Sequence, residues 1–172
     1  MKKVLVTGAT GFLGKYVVEE LVEHGYQVRA FGRNRAIGQS LVNASVTFVQ
    51  GDLTNQEDLT KACHEMDMVI HAGALSTVWG PWEDFYQTNV LRTKYVLEAC
   101  RETNIDRLVY VSSPSIYAAP RDQLGIKESD APQENRLNNY IRSKLASEKL
   151  FKDYPDVSSV ILRPRGLFGI GD

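Results

Sequence analysis

The chain has 172 residues, 43% of them hydrophobic and 24% charged, with a net charge of −1. That length suits one domain with a proper core, and the composition excludes a disordered chain. The near-neutral balance gives no basis for nucleic acid or an anionic membrane as partner, and no apolar run approaches the ~20 residues of a membrane span.

A strand through Val4, Leu5 and Val6 opens the chain and leads into Gly8, Gly11 and Gly14. An amphipathic helix follows: Leu13, Val17 and Leu21 recur every four residues, Val18 and Val22 flank them, and Gly25 stands where a C′ glycine belongs. The second strand is expected at 27–31, closed by Gly32, Arg33 and Asn34, with Arg35 and a short helical segment at 37–42 after it. The third, at 46–49, ends in Gly51-Asp52-Leu53; Thr54 or Asn55 then caps a helix through Leu59 and Cys63. A fourth strand at 68–71 runs into Ala72-Gly73-Ala74. A loop with Trp79, Gly80, Pro81 and Trp82 leads to a long helix at 85–103. The fifth strand, 108–111, ends in Ser112-Ser113. Residues 114–136 hold three prolines and mixed charge, and so long a loop inside a domain is more often functional than idle. Leu137, Ile141 and Leu145 mark a helix to 152, and the last strand spans 157–162.

Strands alternating with helices predict an α/β fold, a doubly wound parallel sheet with helices on both faces. Ligands in such sheets bind at the carboxyl ends of the strands, where Gly8 to Gly14, Gly32 to Arg35, Asp52, Ala72 to Ala74 and Ser112-Ser113 all fall. Cys63 and Cys100 form no C-x-x-C pair and read as reduced thiols of a cytoplasmic protein, since the N-terminus starts directly in a strand without a signal-peptide pattern. His24, His64 and His71 are scattered, so no metal site is expected.

Three elements carry chemistry. In the glycine turn one glycine permits the tight bend, one lets a phosphate approach the backbone, and one lets helix and strand pack closely; the helix N-terminus offers N–H groups to a pyrophosphate. Tyr140 and Lys144 stand four apart on a helix and so share a face, one residue off the 137/141/145 stripe. A tyrosine titrates near pH ~10 and serves as acid–base at neutral pH only beside a positive charge. Bringing the phenol down to neutrality takes ~4 kcal/mol of preferential stabilisation of the phenolate. Ser113 supplies a hydroxyl at the end of strand five that can donate to a substrate carbonyl, with Ser112 its competitor and Ser115 a weaker one.

In this order, the motifs resemble the extended short-chain dehydrogenases/reductases of the NAD-dependent epimerase/dehydratase superfamily. The matching residues are 7–14, Gly51-Asp52-Leu53, His71-Ala72-Gly73-Ala74, Thr88-Asn89-Val90, Val111-Ser112-Ser113, 140–144, Leu162-Arg163-Pro164 and Gly169-Ile170-Gly171-Asp172, covering the chain end to end. The Ser-Ser-Pro-Ser run and the loop Val78-Trp79-Gly80 look most like the 3β-hydroxysteroid dehydrogenase and 2-alkyl-3-oxoalkanoate reductase branch. The resemblance implies a Rossmann-type domain in which Gly8, Gly11 and Gly14, with Thr10, Phe12 and Leu13 of the same turn, hold the pyrophosphate. Asp52 and Leu53 would contact the adenine, Ala72, Gly73 and Ala74 pass beneath the ribose, and Pro164 borders the nicotinamide, with Asn89 and Ser112 also in the cofactor set. Ser113, Tyr140 and Lys144 map onto the catalytic trio, and a small-molecule ketone or secondary alcohol is the implied substrate. Nucleotide-sugar epimerisation or dehydration, a non-catalytic dinucleotide sensor and a purely structural βαβ module are the rivals. Trp79 and Trp82, expected near the cleft, slightly favour an apolar substrate, with a place in the core or at a domain contact the alternative reading. Outer helices could pair two copies into a homodimer.

Three departures from the family pattern matter. Gly32, followed by Arg33 and Arg35, stands where an acidic residue would hold the ribose diol of NAD; arginines can pair with a 2′-phosphate, so NADP(H) is the expected cofactor, with NAD(H) the alternative. Arg92 occupies a position where glycine is usual, which puts helix packing there in question. Third, the chain stops at Gly171-Asp172, where relatives continue into a smaller domain closing over substrate. The expectation is that residues 1–172 are the dinucleotide-binding domain of a fragment lacking its C-terminal substrate domain, able to bind dinucleotide but holding substrate poorly.

Overall fold

A computed structural model describes residues 1–171; Asp172, the last residue of the terminal motif, lies outside the described residues. Six strands form one parallel sheet in the order β3-β2-β1-β4-β5-β6. They are β1 (Lys3–Thr7), β2 (Gln27–Gly32), β3 (Val46–Gln50), β4 (Met68–His71), β5 (Arg107–Val111) and β6 (Ser159–Leu162). The helices are α1 (Phe12–Glu23), α2 (Arg35–Ser40), α3 (Gln56–Cys63), α4 (Trp82–Phe85), α5 (Arg92–Glu102) and α6 (Asn139–Leu150).

Successive side chains of a strand point to opposite faces, and β1 is buried on both. Leu5 joins Leu59, Val69, Leu97 and Leu108 in a core under α3 and α5, while Val4 and Val6 join Val18, Val28 and Val46 in a second core under α1. Chain progression reverses between β1 and β4, which pair from Val4↔Met68 to Thr7↔His71. That reversal opens a crevice at the carboxyl ends of the strands, which positions the site.

Four expectations shift. Leu137 lies outside α6 and is exposed, because Asn138 takes the N-cap and its side chain accepts from Ile141 N. The helix expected at 85–103 begins at Trp82 and is interrupted by a π-helical turn, Tyr86–Leu91. The short second helix starts at Arg35, with Asn34 as N-cap, and β6 begins at Ser159. Of the two candidate caps for α3, Asn55 holds the position and accepts from Asp58 N. Cys63 and Cys100 are both free and buried.

Candidate active site

One cleft of about 800 Å³ runs along the carboxyl ends of β1, β2, β4 and β5. Its floor is the glycine turn. Gly8 has φ +72°, and a Cβ there would meet Gly73 Cα at 2.7 Å, so the turn and the end of β4 touch backbone to backbone. At Gly14 a Cβ would stand 2.1 Å from the Gly8 carbonyl oxygen. α1 therefore starts against β1, and its N-cap, Gly11, brings no side-chain cap and no acidic residue to the first turn. Free N–H groups at a helix N-terminus, with no carboxylate to claim them, suit an anion.

Beneath this floor His71 is buried between two threonines. Thr93 Oγ1 spends its proton on the Asn89 carbonyl at 2.6 Å, so it accepts from His71 Nε2 at 3.2 Å. The Nδ1 then accepts from Thr7 Oγ1 at 2.7 Å, which specifies a neutral ring. Burial, reinforced by the Lys144 cation, holds the His71 pKa at about 3.

The far wall comes from α6 and β5. Tyr140 and Lys144 both line the cleft, as do Val111 and Ser112. The Lys144 ammonium donates to the Val111 carbonyl at 2.9 Å and lies 5.0 Å from the Tyr110 ring centroid and 6.0 Å from that of Tyr140. Burial lowers its pKa to about 8, with Glu148 opposing that shift. Ser112 is committed elsewhere: its hydroxyl donates to Glu148, which pairs with Arg163 at 2.7 Å. Ser113 is buried just behind the cleft wall, and its Oγ accepts from Ser115 N at 3.2 Å as the cap of a 3₁₀ turn, Pro114–Tyr117. Among the described residues the Ser113 proton has no acceptor, which leaves it, and not Ser112, free to donate.

Gly8, Thr10, Gly11, Phe12, Leu13, Gly14, Arg33, Asp52, Leu53, Ala72, Gly73, Ala74, Ser112, Tyr140 and Lys144 thus share one cleft. Four expected residues stand apart from its lining. Arg35 is exposed at the first turn of α2. Pro164 is off the wall, where Leu167 stands instead. Ser113 is set back as described. Asn89 is buried with its amide fully used: it accepts from Leu75 N at 2.7 Å and donates to Leu75 O and to Ser143 Oγ at 3.0 and 2.8 Å. It ties the loop after β4 to α6 and supports the cleft from behind. Neither Trp79 nor Trp82 lines the cleft; Trp79 is exposed, and Trp82 carries the Arg142 guanidinium 3.7 Å from its ring centroid.

Sequence reasoning missed Arg92 as a cleft residue. Its side chain is 16% exposed and reaches Asp52 Oδ1 at 3.5 Å. Burial would raise the Asp52 pKa, but hydrogen bonds from Thr54 together with Arg92 and Arg33 outweigh it and hold the carboxyl below its usual value. The signal was an arginine standing where glycine is usual; the π turn that precedes it had no signature in the residues.

Among the described residues no helix is long and apolar enough to cross a membrane, and no group of three or more His, Cys, Asp or Glu could hold a metal ion.

Comparison with known proteins matches residues 4–172 to the NAD dependent epimerase/dehydratase family. A 2-alkyl-3-oxoalkanoate reductase of Shewanella oneidensis is 38% identical over 97% of this chain and 45% of its own length. A decarboxylating sterol-4-alpha-carboxylate 3-dehydrogenase of Mus musculus is 34% identical over 99% of this chain and 47% of its own. The crystal structure of UDP-glucuronic acid 4-epimerase from Bacillus cereus in complex with NAD superposes with a TM-score of 0.81 at 29% identity, covering 94% of this chain and 56% of that one. The chain spans about half the length of the curated relatives it matches. The glycine turn, the crevice at the β1/β4 reversal and the end-to-end match agree: the chain belongs to the NAD dependent epimerase/dehydratase family.

Proposed function

We propose that the protein is a nicotinamide-dependent oxidoreductase interconverting a ketone and a secondary alcohol, with NADP(H) preferred. The observation that carries the reading is the placement of Tyr140 and a buried, cationic Lys144 on the same cleft wall, facing the glycine turn. The cleft fits a dinucleotide: Gly8 and Gly14 let the turn, α1 and the end of β4 close up backbone to backbone, and the α1 N-terminus so placed leaves N–H groups for a pyrophosphate. Gly8, Gly11 and Gly14 would hold that group, Asp52 and Leu53 the adenine end, and Arg33 a 2′-phosphate. When bound, the nicotinamide supplies or accepts the hydride.

The chain's own residues do the rest. Tyr140 gives a proton to the oxygen that becomes the alcohol, or takes it back in the reverse direction. At pH 7 Lys144, with its pKa near 8, is mostly protonated, and its cation stabilises the phenolate left behind. Ser113, set back behind the wall with its proton unspent, would turn into the cleft to donate to the carbonyl oxygen.

Two relatives, a reductase of an oxoalkanoate and a 3-dehydrogenase of a sterol carboxylate, favour carbonyl chemistry at a small or apolar substrate. The test is oxidation of NADPH by the intact protein against 3-oxoalkanoates and other ketones. Tyr140→Phe should lower turnover by about 10²–10⁴-fold, the usual contribution of a positioned acid–base; unchanged turnover contradicts the assignment. A second reading, epimerisation of a nucleotide sugar, is favoured by the likeness to a UDP-glucuronic acid 4-epimerase. It predicts an epimerised sugar without net consumption of dinucleotide.

A further inference from the structure

Three charged residues, Arg33, Asp52 and Arg92, line the end of the cleft away from Tyr140. The two arginines are held very differently. Arg92 is walled in, with a side chain 16% exposed and a buried Nε that has no hydrogen-bond partner among the described residues, and its guanidinium reaches Asp52 Oδ1 at 3.5 Å. Arg33 is 73% exposed and stands 4.0 Å from the other oxygen, Oδ2. Asp52 itself cannot turn away, because Oδ1 also accepts from Thr54 N at 2.9 Å and Thr54 Oγ1 at 3.0 Å.

We infer that Arg92 is a specificity-determining residue that neutralises Asp52 from the protein side and so leaves Arg33 free for a 2′-phosphate. The inference rests on the reading of the cleft as a dinucleotide site. A phosphate paired with Arg33 lies within one Debye length of Asp52, about 8 Å at physiological salt, because Arg33 already touches that carboxylate. An unshielded Asp52 would both repel the phosphate and compete for Arg33. With Arg92 fixed against Oδ1 the carboxylate is balanced, and the three charges sum to +1 with the exposed member, Arg33, on the solvent side. An unphosphorylated dinucleotide presents no anion there, so it gains far less from the shield.

The experiment measures dissociation constants of NADPH and NADH by nicotinamide fluorescence at low salt. Arg92→Gln should raise the ratio Kd(NADPH)/Kd(NADH) about fivefold, and the change should shrink in high salt. Arg92→Lys, which keeps the cation, should stay near the wild-type ratio, and Asp52→Asn added to Arg92→Gln should restore it. Asp52→Asn alone takes the sum of the three charges from +1 to +2 and should lower the ratio by a similar factor, again less so in high salt. That variant decides the matter even if Arg92→Gln fails to fold. Tight binding of both dinucleotides with a ratio indifferent to Arg92→Gln, or a ratio unmoved by Asp52→Asn, overturns the inference alone. A wild-type chain that binds neither dinucleotide refutes the cleft reading and takes the inference with it.

Discussion

The Lys144 ammonium donates to the Val111 carbonyl at 2.9 Å, fastening α6 across the end of β5. The contact makes a buried cation part of the cleft wall, and the cation brings a measurable cost. The ordinary lysine pKa of 10.5 falls to about 8 in the folded chain, mainly through burial.

Between pH 8 and 10.5 the unfolded chain therefore binds more protons at this position than the folded one. Stability should rise with pH across that window, by about 3 kcal/mol from this group. Lys144→Met should flatten the rise relative to wild type in urea unfolding measured pH by pH. Parallel profiles would contradict the burial of the charge.

His71 works in the acid range with the same sign. Its folded pKa of about 3 lies below the unfolded 6.5, so the folded chain resists protonation. Its contribution is complete above pH 6.5 and disappears as pH falls towards 3, by up to about 5 kcal/mol. Protonation would place an N–H on Nδ1, where Thr7 now donates. His71→Gln should be less stable at neutral pH yet lose stability less steeply with acid, as thermal unfolding between about pH 7 and 4 would reveal.

Gly14→Ala should do more than remove freedom at a turn. Its Cβ would sit 2.1 Å from the Gly8 carbonyl oxygen and 2.7 Å from Ala9 Cα, all backbone, so α1 must move off β1. A loss of about 2 kcal/mol or more is expected, with dinucleotide affinity falling further because the N–H groups of α1 move too. Gly25→Ala is the control: it meets no atom within 4 Å and bears only the strain of φ +79°. Calorimetry on both variants separates the two effects.

The sheet was legible because each strand is a short apolar run bounded by glycine, aspartate or serine, and each crossover carries helical periodicity. The glycine turn and the Tyr140/Lys144 pair were legible because spacing alone sets which backbone turns and which helix face they occupy. Leu137 was not, since an apolar residue at helical spacing looks the same on either side of a cap, and Asn138 decides the boundary. The commitment of the Asn89 amide to Leu75 and Ser143, and of the Ser112 hydroxyl to Glu148 at the cleft wall, was not legible, since those partners lie far away in sequence. Arg92 depends on a π turn, a backbone register that residue types do not announce.

Whether the cleft is a dinucleotide site is tested most directly by titrating NADPH into the chain and following nicotinamide fluorescence. Saturable enhancement with a dissociation constant of about 10 μM or tighter (roughly −7 kcal/mol) is expected, lost in Gly14→Ala and weaker for NADH. A linear signal without saturation into the millimolar range would contradict it.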